Sequence, residues 1–194
     1  MKYFDLLAIN KLFFSYYDIA QKLGITPQPV RVSAARYVKQ GLLLRLKRDM
    51  YMLKDTGKGL DIIQKFKIAN YIQAPSYISP LTALEYYEIT TRMQQNFVES
   101  IALKRTKEII MEETVFNFKR IDRKLYFGFL KLKDVFIAEP EKAFWDAIYL
   151  TSLGRYRLDT ASIDFNKLYR EKILTLLKQF PQPVIKLLNA YEYL

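Results

Sequence analysis

The 194-residue chain contains neither cysteine nor histidine. These absences remove disulfide frameworks, thiolate or imidazole zinc sites, Cys–His and Ser–His–Asp nucleophile systems, and histidine-based pH switches. Glycine is scarce as well: six are present, and none falls in a GxGxxG or Walker arrangement, so no glycine-rich phosphate loop is available. No stretch reaches the roughly 18 uninterrupted apolar residues of a membrane span. The start, Met1-Lys2-Tyr3-Phe4-Asp5, has no apolar run ahead of a small-residue cleavage site. The expectation is a soluble cytoplasmic protein without membrane association.

What is present is a globular composition, 51% hydrophobic and 26% charged, in a chain long enough for one large domain or two small ones. Charge is the strongest signal. The net charge is +11, which favours an anionic partner. Residues 1–60 hold 11 basic and 4 acidic side chains, net +7, leaving 20 and 16, net +4, for the rest. More than half of the excess therefore sits in under a third of the chain.

That basic third reads as a series of short elements. Residues 3–14 place Phe4, Leu7, Ala8 and Phe14 near one face at helical spacing, which predicts a first helix. Ser15 stands as an N-cap before Tyr16–Leu23, with Asp18 in the first turn and Gly24 as the stop. Pro27 and Pro29 then open a third helix that runs to about Gln40 and ends at Gly41. On that helix Val30, Ala34, Tyr37 and Val38 form a core stripe, while Gln28, Val32, Ala35, Arg36 and Lys39 share the opposite side and Arg31 lies on the border. Period-two runs follow, Leu42–Lys47 and Met50–Leu53, predicting a hairpin with Arg48-Asp49 at its tip. Helix, short helix, turn, third helix and basic hairpin is the order of a winged helix-turn-helix. Its expected partner is double-stranded DNA, with Gln28, Arg31, Val32, Arg36 and Lys39 toward base edges and Arg45, Lys47 and Arg48 of the wing toward phosphates. A small helical bundle with a solvated charged face is the competing interpretation.

Residues 54–60 (KDTGKGL) read as a polar linker, which predicts domains at 1–58 and 59–194. A helix is expected from Asp61 to about Gln73 with Ile62, Phe66 and Ala69 on one face, then another opened by Ser79 as cap and Pro80. From Phe97 to Leu132 the alternation predicts an antiparallel meander, and Val135–Ala138 adds a short strand. Helices are expected at Ala143–Leu150, Asp164–Phe180 and Pro183–Tyr193. The fold class is α+β, a winged helix-turn-helix followed by a mixed domain with an antiparallel sheet flanked by helices. The aromatics, including Phe116, Phe118, Phe127, Phe129 and Trp145, fall on core faces rather than on a base-stacking platform. Glu139, Glu141 and Asp146 lie close together beside Lys142, and a metal-dependent nucleic-acid enzyme is the alternative function they raise. Their geometry argues against it: Asp146 is about 140° around the helix from Glu141, and first-turn acids serve free backbone N–H groups. No cofactor or metal is expected.

Two stretches carry a resemblance, "APSYISPLTALEYYEI" at Ala74–Ile89 and "IAEPEKAFWDAIYL" at Ile137–Leu150. Following a winged helix, they make the chain similar to the AbiEi-type antitoxins of bacterial type IV toxin–antitoxin systems. The resemblance covers nearly the whole chain. It departs from the family at Asp49, where a glycine is usual, and at the bulky Phe144-Trp145 pair. It implies an autorepressor that binds its own promoter through the winged helix. It also implies an antitoxin that antagonises a nucleotidyltransferase-like toxin, generally without a stable complex, in abortive infection.

Overall fold

The computed structural model describes residues 3–190. By contact the chain divides into two units, Met1–Ile68 with Met111–Glu113, and Ala69–Ile110 with Thr114–Leu194.

The first unit begins with a single helical turn, α1 (Phe4–Leu7). It buries Leu6, and Ile9 follows inside, while Phe4 and Leu7 are exposed. The twelve-residue helix expected over 3–14 is thus cut short, and of its predicted apolar face only Phe14 is buried. Farther on, Phe14 pairs opposite Tyr51 in the strand β1 (Phe14–Ser15). Helix α2 (Tyr16–Leu23) starts on a full capping box: the Asp18 backbone N–H donates to Ser15 Oγ, and the Ser15 backbone N–H donates to the Asp18 carboxylate. Gly24, at φ 62°, ends it in the left-handed region open to glycine. Three residues later α3 (Pro27–Lys39) begins with proline in its first turn. Strands β2 (Leu43–Lys47) and β3 (Met50–Leu53) form the hairpin, with an irregularity between Arg45 and Lys47. The sheet order is β1-β3-β2. Leu6, Phe14, Ile19, Val30, Ala34, Tyr37, Leu43 and Tyr51 share one core. Burying each large apolar side chain of this set contributes about 1.5–3 kcal/mol.

The expected linker is partly ordered: α4 (Lys54–Gly57) follows the wing directly, and Gly57 and Leu60 are buried. The division by contact lies inside α5 (Ile62–Ile72). Asp61 and Gln64 cap that helix reciprocally. Phe66 and Ala69 are buried as expected, but Ile62 is exposed, and Ile68 and Ile72 complete the apolar face instead.

In the second unit the antiparallel meander does not form. The sheet is six-stranded and mixed, in the order β6-β7-β5-β4-β9-β8, built from β4 (Ser76–Ile78), β5 (Phe97–Ala102), β6 (Lys107–Met111), β7 (Thr114–Arg120), β8 (Phe129–Leu132) and β9 (Val135–Ala138). β5 runs parallel to β7, and β4 parallel to β9. The strand that reorders the sheet is β4, whose three residues are all buried. A short strand covered on both faces has no alternation to betray it. The Lys124–Tyr126 stretch, expected as strand, holds a 3-10 turn at Arg123–Leu125.

Helix α6 (Leu81–Tyr86) follows β4, but Ser79 is not its cap. The Leu81 N–H donates instead to Glu99 on β5, at 2.9 Å, and the Ser79 hydroxyl turns to Asp146. Helix α7 (Pro140–Ser152) carries the PEKA stretch and buries nearly every residue from Glu141 to Leu150. The long helix expected over 164–180 is a 3-10 turn at Phe165–Lys167 followed by α8 (Arg170–Leu177). Helix α9 (Gln182–Ala190) agrees with expectation as far as it is described, residues 191–193 lying outside the described residues.

Candidate nucleic-acid interface and a buried polar network

The two faces of α3 separate as the sequence pattern requires. Val30 and Ala34 are fully buried and Tyr37 nearly so, whereas Gln28, Arg31, Val32, Ala35, Arg36 and Lys39 are exposed. Val32 is the sharpest case: an aliphatic side chain at 73% exposure has no core to serve. The outward side borders a shallow cleft of about 520 Å³ lined by Arg31, Val32, Ala35, Arg36 and Lys39. The cluster is cationic with small apolar groups between the charges. That composition suits a major-groove edge, where guanidinium meets guanine and methyl meets thymine.

The wing supplies a second basic element. Arg45, Lys47 and Arg48 are all exposed on the hairpin. Between wing and helix stands Asp49, at φ 60° in the turn. Its carboxylate meets Arg31 at 3.1 Å and Arg48 at 3.6 Å, and Arg31 also lies 5.7 Å from the Tyr16 ring centroid. Arg31 is therefore held against the wing turn, while Arg36 and Lys39 make no ion pair among the described residues. Asp49 acts as an internal counter-anion. Replacing it by Asn keeps a residue that tolerates the left-handed turn and removes only the charge. Asp49→Asn is expected to tighten duplex binding by up to about fivefold, on any sequence, measured by anisotropy titration at constant salt.

Elements with these connections, a helix-turn-helix flanked by a β-hairpin wing, define a winged helix-turn-helix unit. Residues 1–54 match the model of a family described as transcriptional regulator, AbiEi antitoxin. The chain is also similar in fold to the crystal structure of the RV2827C protein from Mycobacterium tuberculosis, at a TM-score of 0.60 and 13% identity, over 96% of this chain and 74% of that one. No curated protein sequence matches it. No helix among the described residues is long and apolar enough to cross a membrane.

The acidic stretch on α7 is not assembled as a metal centre. Glu141 accepts the Tyr169 backbone N–H at 3.0 Å, with Lys172 3.9 Å away. Asp146 is fully buried elsewhere, accepting from the Lys142 ammonium, from the Tyr77 hydroxyl at 2.9 Å and from the Ser79 hydroxyl at 2.8 Å. Lys142 also donates to Tyr77 Oη at 2.8 Å, closing a ring of hydrogen bonds. Phe127 and Phe180 wall the ammonium, their centroids 5.1 and 5.9 Å from Nζ, and Phe129 stacks on Tyr77 at 4.6 Å. Burial pushes the Asp146 carboxyl up and the Lys142 amine down, each opposed by the charge and hydrogen bonds of the other. Burial, then the nearby Asp146, raises the Tyr77 phenol well above its ordinary value.

The pairing of Lys142 with Asp146, one helical turn apart, was not among the expectations from the sequence. The available signal was the helix itself. Between Ala143 and Leu150 it is apolar on every side except Asp146, so Lys142 had no solvated face to occupy. Gly128 seals the network: it sits at φ +69°, and a Cβ there comes within 2.8 Å of Lys142 Cγ. Gly128→Ala is expected to destabilise the second unit by about 1–3 kcal/mol. Gly59→Ala, with nothing within 4 Å of the added Cβ, serves as the silent control in the same fluorescence melt.

Proposed function

We propose that the protein is a sequence-specific DNA-binding repressor of its own operon and the antitoxin partner of a nucleotidyltransferase-like toxin, acting without a stable complex with that toxin. The exposed Arg36–Lys39 face of α3, segregated from a buried stripe on the same helix, carries the DNA reading. Residues 1–58 are the DNA-binding part, with Gln28, Arg31, Val32, Arg36 and Lys39 on the helix and Arg45, Lys47 and Arg48 on the wing. Residues 59–194 are the antitoxin part. The regulator family matched by residues 1–54 supports the DNA-binding role of the first part, and the protein acts by binding rather than by catalysis.

The test is an electrophoretic shift of the chain's own upstream region, titrated with salt. If about six basic groups meet phosphates, log K against log[salt] falls with a slope of about −5. A flat response, or equal affinity for scrambled duplex, refutes the reading. Co-expression with the nucleotidyltransferase-like product of an adjacent gene tests antitoxicity: growth is rescued if the reading holds and arrested if it does not.

A further inference from the structure

A second basic cluster lies wholly in the second unit, on elements that the DNA reading does not use. Arg105 and Thr106 sit between β5 and β6, Lys119 and Arg120 end β7, and Leu150 and Arg155 come from the C-terminal end of α7 and the turn after it. Together they line a cleft of about 580 Å³. β5 and β7 are parallel neighbours that pair Ala102 with Arg120 at their carboxyl ends, and the cleft opens there. In open α/β sheets the carboxyl ends of parallel strands are where ligands settle.

The backbone that carries these side chains is fixed by hydrogen bonds. The Arg120 backbone N–H donates to Thr106 Oγ1 at 3.0 Å, which uses an acceptor and leaves the hydroxyl proton free to donate. Gln73, itself buried, donates to the Arg105 carbonyl at 2.6 Å. The Arg155 N–H closes on the Leu150 carbonyl at 3.0 Å. No carboxylate lines the cleft, and none of the four cations makes an ion pair among the described residues. Glu99 attracts Lys119 electrostatically, yet it is buried and committed to the Leu81 N–H and the Tyr156 hydroxyl. The C-terminus of α7 contributes a partial negative charge. Any anion must therefore be held by the side chains, and the four cationic residues that line this one concavity are more than one phosphate needs.

We propose that this cleft binds a compact polyphosphate of the nucleoside triphosphate class, through Arg105, Lys119, Arg120 and Arg155 with Thr106 as hydroxyl donor. The volume is that of a small-ligand site. A duplex spreads its phosphates along a backbone and calls for a track on the surface, whereas a triphosphate concentrates its charge in one place. The assignment rests on the second unit alone and stands or falls apart from the winged-helix reading.

Calorimetric titration of the full chain with ATP, inorganic tripolyphosphate and AMP at 0.1 M salt tests it. ATP and tripolyphosphate are expected to saturate at one site, with AMP at least about tenfold weaker. Arg120→Ala with Arg155→Ala is expected to weaken both by tenfold or more, with the melt of the single tryptophan, Trp145, unchanged. Arg155→Lys, which keeps the charge but not the bidentate fork, should bind more tightly than Arg155→Ala. Absence of saturable tripolyphosphate binding overturns the proposal, as does binding that the double variant leaves intact. Scrambled duplex added to the Arg36→Ala/Arg48→Ala protein should not displace ATP. If it does so at lower phosphate concentration than ATP itself requires, the cleft tracks nucleic-acid backbone and the compact-ligand assignment fails.

Discussion

Asp146→Ala is expected to be the most damaging single substitution in the second unit, costing about 3–5 kcal/mol. The carboxylate is the shared acceptor for Lys142, Tyr77 and Ser79, all without solvent access. Truncation leaves an amine and two hydroxyls facing aromatic rings and no water. In a chain of this size about 1 kcal/mol moves the melting temperature by roughly 2–4 °C, so a drop on the order of 6–20 °C follows. Trp145 is the only tryptophan and stacks on Phe180 at 4.5 Å beside the network, so its fluorescence reports this unit directly. A Lys142→Met/Asp146→Leu double variant, which removes both charges, is expected to lose less than Asp146→Ala alone. A single variant that melts within about 2 °C of the parent would show that the network contributes little.

The two units differ in how far their sequences disclose them, and the difference follows the range of the forces. The winged helix is specified by signals a few residues apart. Ser15 and Asp18 close a capping box across one turn, Gly24 stops α2, Pro27 opens α3, and the alternate faces of α3 are set by a 3.6-residue period. Each was legible because its partner is a near neighbour. Residues 3–14 show the limit of that reasoning. A helical period was present, but the helix stops after one turn and Phe14 pairs in a strand with Tyr51, far along the chain.

In the second unit the decisive contacts are long-range. Ser76–Ile78 becomes an interior strand only because β5 and β9 flank it. The same rearrangement takes Ser79 from helix cap to donor for Asp146, 67 residues away. Glu99 then serves as the acceptor for α6 in its place. The acidic residues of "EPEK" looked like a first-turn cluster, and Glu141 does serve backbone, but that of Tyr169 rather than of its own helix. The basic cleft was invisible for the same reason: Arg105, Lys119 and Arg155 come from three elements with no common period.

Arg36→Ala and Arg48→Ala are expected to separate base reading from phosphate contact. Arg36 projects from the outward side of α3 beside Val32 and Lys39, unpaired by any carboxylate among the described residues. A guanidinium there donates two hydrogen bonds to a guanine edge, and its loss costs about 1–3 kcal/mol on the tightest-binding upstream segment, roughly 5- to 150-fold. On scrambled duplex the same variant changes little, so discrimination collapses. Arg48 is 80% exposed at the hairpin tip and already shares Asp49 with Arg31. From that position it meets phosphate, so Arg48→Ala weakens both duplexes by similar factors and reduces the salt slope by about one. The measurement is four isotherms, two variants on two duplexes, across a salt series. Equal losses for Arg36→Ala on both duplexes would mean that α3 does not read sequence. Loss of discrimination in Arg48→Ala alone would make the wing the reading element, with α3 lying on the backbone.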